Sequence, residues 1–468
     1  MKDITYDVRV YKTEVYRGAR VVTHTVRWKT GDKPWRRPFR TAAQADTFRS
    51  ELQAAARKGE AFSLITGEPV SWNRADKAGM SWYDFATAYV DMKWKRASAG
   101  YRRDIARALM AATPAMLTST RGKPSNQMIR KALVRWVFNA RDRADCPSEY
   151  ATVVEWLKRN TCPVSALDDA AVMRRVLDTA TSKLDGKPVA ASTARRNRAI
   201  LFNALEYAVE LKLLTGNPIQ GLKWQAPKTS HEVNRECVVN PGQARRLLAA
   251  VGAQPRSGPR LVAFFAILYF AGLRPEEAVG LRKANVVLPA LEWNQETEQW
   301  EEPPDGWGEL RFRTASPDVG KEWTDDGAQR EERHLKHRAS GDSRAVPCPP
   351  ELARILRAHL AAFPPAQDGR LFTGINGGDL PTITYRRAWD RARAAVLTEA
   401  EYASPLGKRI YDLRHACLST WLNAGVPATQ VAHWAGHSVD VLLKIYAKCI
   451  VGQDEAAKRR ISDALEGR

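Results

Sequence analysis

The sequence of 468 residues contains no run of 18 apolar residues. Its longest apolar stretch, 261–273, is too short to span a bilayer and is followed by Arg274. The first residues, Met1-Lys2-Asp3-Ile4, lack the apolar segment of a secretory signal, so no membrane association is expected. Cysteine is scarce and scattered: Cys146, Cys162, Cys237, Cys348, Cys417 and Cys449 form no C-x-x-C pair. They read as reduced thiols of a cytoplasmic protein, with neither a disulfide framework nor a zinc site. His433 and His437 stand four apart, but no Glu follows the first and no third ligand is placed. A Walker loop is also missing, which excludes the usual phosphate cradle for ATP. The expectation is chemistry without a metal or cofactor.

Basic charge is abundant. Lys and Arg number 73 against 52 Asp and Glu, a net charge of +21. The excess is +6 over residues 1–70, +12 over 71–226 and +3 over the remainder. Such a surface attracts polyanions and makes their binding salt-dependent, so nucleic acid is the favoured partner.

Three segments follow from pattern. Residues 1–70 open with alternating, β-branched stretches at 6–11 and 20–28 and a third near 35–40, with turns at Gly18 and Gly31-Asp32. Thr41 then caps an Ala-rich helix with Phe48 and Leu52 on one face. A three-stranded sheet backed by one helix is expected. Arg27, Lys29, Arg36 and Arg37, interleaved with Trp28 and Trp35, are its candidate DNA contacts. Residues 71–226 show helical periodicity at 82–92, 101–110, 128–139, 151–159, 168–184 and 192–214. Two basic groups stand out there: Lys93, Lys95, Arg96, Arg102 and Arg103, then Arg195, Arg196 and Arg198. Polar residues 227–236 read as a linker.

Residues 237–468 form a mainly helical third domain with strands at 309–313 and 344–347. Between 285 and 332 lie 13 acidic and 4 basic residues with Trp293, Trp300, Trp307 and Trp323, read as an acidic loop inserted among the strands. The predicted fold is therefore multidomain, mainly α with small β elements, ending in a mixed α/β catalytic domain.

The chemistry-bearing residues lie in this last domain. Arg274 follows a buried helix and precedes Pro275, with Glu277 three positions on. Far downstream come Tyr411-Asp412-Leu413-Arg414-His415, then Gly436-His437, then Tyr446. Cutting a phosphodiester with a side-chain nucleophile needs an in-line attacking group and donors for the phosphate oxygens. It also needs a proton for the leaving oxygen. Tyrosine can form the covalent bond, and guanidinium presents a fork that matches phosphate.

This ordered set resembles the signature of the tyrosine recombinases, the family of phage-type site-specific integrases. The resemblance implies Tyr446 as nucleophile, Arg274 and Arg414 as the two phosphate-binding arginines, and His437 as donor or proton relay. Glu277 would orient an arginine, and His415 would reach phosphate or pack. The family places histidine where this chain has Tyr411; a phenol can donate to phosphate but exchanges protons poorly near neutrality. Lys336 resembles the lysine that protonates the leaving 5′-oxygen, with Lys321 as competitor.

By the same resemblance, 1–70 would bind arm-type DNA sites, 71–226 core sites, and the tail 447–468 a neighbouring subunit. Four protomers would exchange strands on double-stranded DNA, aided by an excision factor or a host DNA-bending protein. A non-cleaving DNA-binding regulator on the same fold is the alternative, and a strand-relaxing topoisomerase a third reading.

Overall fold

The computed structural model describes residues 4–18, 22–70, 72, 79–225, 227, 233–335 and 343–446, with 458, 459, 461, 462, 465 and 466 near the end. It is mainly helical with small sheets, as the sequence predicts. The chain divides into two compact units, 1–228 and 229–468.

The first unit opens with β1 (Ile4–Thr5), β2 (Val8–Val10), β3 (Glu14–Arg17), β4 (Val22–Thr30) and β5 (Lys33–Phe39). Strand β4 is the spine of the sheet. One of its edges pairs with β2 and β3 in turn and the other with β5, all antiparallel. The sheet thus has four strands where three are expected: β2 lies in the first expected stretch, 6–11, and β3, after a break at 11–13, lies in none. Gly31-Asp32 forms the two-residue turn between β4 and β5, as read from the sequence. Helix 42–57 starts at Thr41, whose hydroxyl accepts from the Gln44 amide at 3.3 Å. Its Phe48 and Leu52 pack on Val26 and Trp28 of β4. A strand the sequence did not signal, β6 (Phe62–Ser63), returns after the helix to pair with β1.

Helices 82–94, 99–112, 126–132, 148–159, 170–180 and 191–210 make up the rest of this unit. They match the predicted order, with boundaries shifted at most of them. The greatest change is at 128–139, where the α-helix ends at 132 and gives way to a π-helical turn over 133–137.

In the second unit, helix 258–270 is apolar nearly all round and is accordingly buried. Phe264 and Phe265 on it pack against Phe372, Tyr385 and Trp389. Strands β7 (Val286–Val287), β8 (Glu292–Asn294), β9 (Gln299–Glu301), β10 (Gly308–Phe312), β11 (Thr314–Ala315), β12 (Arg333–His334) and β13 (Arg344–Cys348) follow. Strand β10 lies between β7 and β13 in an antiparallel sheet, and β11 pairs with β12. The acidic stretch 285–332 is therefore not one loop. Strands β7, β10 and β11 lie within it, and between β7 and β10 stands the β8–β9 hairpin, where Trp293 and Trp300 meet edge to face at 5.6 Å.

Helices 411–423, 428–435 and 439–446 close the chain's described core. A separate cluster joins them through Leu418, Leu422, Val431, Leu442 and Tyr446. Val233, at the end of the stretch read as linker, is buried in that cluster, and its amide donates to the Ile445 carbonyl at 2.9 Å. Its apolar side chain explains why this position of that polar stretch packs while 234–236 stay exposed. Among the described residues no helix is long and apolar enough to cross a membrane.

Candidate active site and nucleic-acid surfaces

Arg274 occupies the position just before helix 275–279, with Pro275 at the first helical position. Its amide donates to Glu277 Oε2 and its Nη1 to Glu277 Oε1, both at 2.8 Å. Its Nη2 reaches the Gly436 carbonyl at 3.1 Å. One carboxylate thus holds both the backbone and the head group of Arg274. The side chain remains 18% exposed.

Glu277 itself is buried and also accepts from Arg344 Nη2 at 2.6 Å. Burial would raise its pKa, but the guanidiniums of Arg344, Arg274 and Arg414 hold it down at about 2. Arg344 is the residue that sequence reasoning missed. Burial lowers its pKa to about 10 against the pull of Glu277, which leaves it charged at neutral pH. Its guanidinium lies 4.3 Å from the Phe312 ring centroid. The signal was present in β13, where Arg344, Val346 and Cys348 share the buried phase of the alternation.

Arg414, on helix 411–423, is fully buried. It donates to the Gly272 carbonyl, to the Ala435 carbonyl at 2.6 Å and to His437 Nε2 at 3.2 Å. Two distant stretches of chain, at 272 and at 435–437, are thereby fastened to one head group. Guanidinium has no acceptor, so His437 Nε2 must accept and the ring proton must sit on Nδ1. That Nδ1 is buried and has no hydrogen-bond partner among the described residues. Burial, then Arg414, Arg274 and Arg344, push the His437 pKa down to about 3, so the ring is neutral near pH 7.

Tyr411 begins the same helix. It interacts with Arg274, and its ring meets His415 edge to face at 5.0 Å. His415 Nδ1 lies 2.8 Å from the Tyr446 hydroxyl. Burial, then Arg409 and Arg414, lower the His415 pKa to about 4. Tyr446, the last described residue of helix 439–446, has no exposed surface. The structure therefore brings together Arg274, Glu277, Tyr411, Arg414, His415, His437 and Tyr446. Lys336 lies outside the described residues. Lys321 is exposed in a turn at 320–324 of the acidic stretch.

The candidate DNA contacts divide differently from the sequence reading. Cross-strand register puts Arg27 opposite Arg36 and Lys29 opposite Arg9, so these four share the face away from the helix. Arg37 pairs with Val26 instead, lies over the Phe48 ring at 4.9 Å and forms an ion pair with Glu68 at 3.1 Å. It belongs to the helix side, as do Trp28 and Trp35, because alternate strand residues point to opposite faces. Arg9 was not anticipated.

Of the helical group, Lys95 and Arg96 are exposed and Lys93 and Arg103 half-buried. Arg102 is buried, with its Nε bonded to the Trp94 carbonyl at 2.9 Å, so it packs the helix pair. Arg195 bonds the Pro227 carbonyl at 2.9 Å, Arg196 pairs with Asp104 at 3.2 Å, and Arg198 lies over Trp224. A cleft of about 750 Å³ in this unit carries Arg107, Arg130, Lys131, Arg135 and Lys183, none of which the sequence reading singled out.

No protein-family description matches the chain, and no curated protein does. Among solved structures it is similar to DNA-bound integrases and site-specific recombinases. One is the Tn1549 transposon integrase in complex with circular intermediate DNA, at 16% identity and TM-score 0.42, covering 69% of this chain and 96% of that one. The XerH recombinase bound to difH matches at 13% identity and TM-score 0.40, covering 77% and 94%. A lambda integrase dimer bound to a core site matches at 12% identity and TM-score 0.42, covering 92% and 91%.

Proposed function

We propose that the chain is a site-specific tyrosine recombinase of the phage-integrase type, cutting and rejoining DNA through a 3′-phosphotyrosine. The observation that carries this reading is the convergence of Tyr446, His415, His437, Arg274 and Arg414 from segments far apart in sequence. Arg274 and Tyr411, which keep exposed surface, would take the phosphate oxygens. His437 would donate its Nδ1–H to the same phosphate. Arg414 has its Nη groups on carbonyls and His437, so it would act from beneath, as positive charge and as a brace. Tyr446 would attack phosphorus, and Lys336 would protonate the departing 5′-oxygen.

On this reading the arm-site surface is the face bearing Arg9, Arg27, Lys29 and Arg36. The core-site surface includes Lys95 and Arg96. The enzyme would work in the bacterial cytoplasm as a homo-tetramer on two duplexes, integrating and excising a mobile element, with an accessory bending or excision factor setting direction.

One observation favours the second reading, a DNA-binding regulator without cleavage. Tyr446 is fully buried, so its hydroxyl must move before it can meet a phosphodiester. The test is covalent capture: the protein is incubated with nicked duplexes enriched from a random pool by binding to it, then denatured. A protein–DNA adduct that disappears in Tyr446→Phe supports the recombinase. Site-specific binding without an adduct favours the regulator, whereas relaxation of supercoiled DNA lacking the enriched sites would indicate a topoisomerase.

A further inference from the structure

We infer that His415 is the proton acceptor for Tyr446, a role that rests on the recombinase reading above. Three observations single it out. Its Nδ1 lies 2.8 Å from the Tyr446 hydroxyl, so the base is already engaged with the phenol in the buried position from which that hydroxyl must move to the phosphate. The other imidazole cannot serve, because His437 Nε2 has its lone pair engaged by Arg414 and offers only an N–H from Nδ1. Tyr411, where the recombinase family has histidine, is a phenol and a poor base near neutral pH. The two histidines therefore have opposite tasks: His437 donates to phosphate, and His415 accepts from the nucleophile.

Ring placement supports the assignment. His415 is clamped between Tyr411 at 5.0 Å and Tyr446 at 5.6 Å, centroid to centroid, so its Nδ1 is held toward the hydroxyl. Burial, then Arg409 and Arg414, disfavours the doubly protonated ring, so one ring nitrogen keeps a lone pair that can take the phenolic proton. A phosphate entering beside Arg274 brings negative charge that offsets those cations as the proton arrives.

The step balances. As the Tyr446 oxygen forms its bond to phosphorus, the phenolic proton passes to His415 Nδ1. The P–O5′ bond breaks, and the 5′-oxygen takes its electron pair and a proton from a lysine ammonium or from water. In rejoining, the 5′-hydroxyl attacks phosphorus and loses its proton to that base, while the tyrosine oxygen leaves and recovers the proton from His415. No oxidant, metal or nucleotide enters.

The experiment measures adduct formation on the enriched nicked duplexes with wild type, His415→Ala and His415→Asn, each also made with 3,5-difluorotyrosine at position 446. The fluorinated phenol is more acidic and needs a base less. Wild type is expected to form adduct, and both variants to form it at least about 100-fold more slowly with DNA retention unchanged. Difluorotyrosine is expected to shrink that gap to about tenfold or less. His415→Asn, which places an amide oxygen near the Nδ1 position, serves if the alanine variant fails to fold. A wild-type enzyme that cuts while both variants cut equally fast overturns the inference and leaves the recombinase reading intact. A gap that persists unchanged with difluorotyrosine also overturns it, since His415 would then only position the helix. No adduct from wild type overturns both.

Discussion

Arg344 fills the space that a side chain at Gly436 would occupy. Gly436 ends helix 428–435 in the left-handed region, at φ +64°. A β carbon there would overlap the Arg344 Nη1. Its carbonyl meanwhile accepts from Arg274. The glycine of the Gly436-His437 pair is therefore required twice, for its backbone angle and for its missing side chain.

Gly436→Ala is expected to destabilise the protein by about 2 kcal/mol or more. About 1 kcal/mol of that comes from the left-handed backbone and the rest from displacing Arg344. Chemical denaturation, followed by tryptophan fluorescence, measures it. A loss under about 0.5 kcal/mol, the range of an ordinary surface change, would contradict the packing.

How legible this site was in the sequence depends on which residue is considered. Arg274, Arg414, His437 and Tyr446 stand in local motifs whose spacing can be read directly, and the folded chain brings them together. The helix under Phe48 and the turn at Gly31-Asp32 were equally plain, because caps and two-residue turns are local chemistry. Arg344 was not legible, since its partner Glu277 is 67 positions away and only the fold makes them neighbours. The packing of Arg37 and Arg102 was not legible for a related reason. Charge in a sequence says nothing of which strand face or helix pair receives it, and both side chains lie along aromatic rings.

The Arg344–Glu277 pair predicts a strong coupling. Arg344→Met leaves a buried carboxylate with fewer donors and should cost about 3–5 kcal/mol. Adding Glu277→Gln removes the stranded charge and should recover a large part of that loss. DNA cleavage should not recover with it, because Glu277 also fixes the backbone and head group of Arg274. A double variant no more stable than Arg344→Met would refute the coupling.

Acid should weaken the second unit through its histidines before its carboxylates. His415 and His437 are lowered in the folded state to about 4 and about 3 from an ordinary value near 6.5. Between those values the unfolded chain binds more protons, so stability is full above about pH 6.5 and declines as pH falls toward 4. For His415 the decline is at most about 3 kcal/mol. Glu277 adds a second loss only below about pH 4.5, where the unfolded carboxyl begins to bind protons. Calorimetric Tm across pH 8 to 4 should therefore fall less in His415→Asn than in wild type. Equal falls would mean that the ring is not held neutral.

The sheet of the first unit gives a prediction that separates its two faces. Arg9, Arg27, Lys29 and Arg36 lie together on the face away from helix 42–57, whereas Arg37 lies against Phe48 with Glu68 as its partner. A residue that contacts a DNA phosphate contributes about 0.9 to the slope of log affinity against log salt. Arg36→Ala should lower that slope by about one and weaken binding alike on all sequences, and Lys29→Ala should lower affinity less, because Lys29 is tied to Asp32 at 3.0 Å. Arg27 is tied to Glu14, and that ion pair must open before it can reach a phosphate, so Arg27→Ala should lower affinity less than Arg36→Ala does. Arg37→Ala should leave the slope unchanged and lower the unfolding temperature instead, since it removes packing from the ring beneath it. Fluorescence anisotropy on duplex DNA between 50 and 200 mM salt reads all four variants. A slope that falls with Arg37→Ala and not with Arg36→Ala would place DNA on the other side of the sheet, where helix 42–57 already covers it.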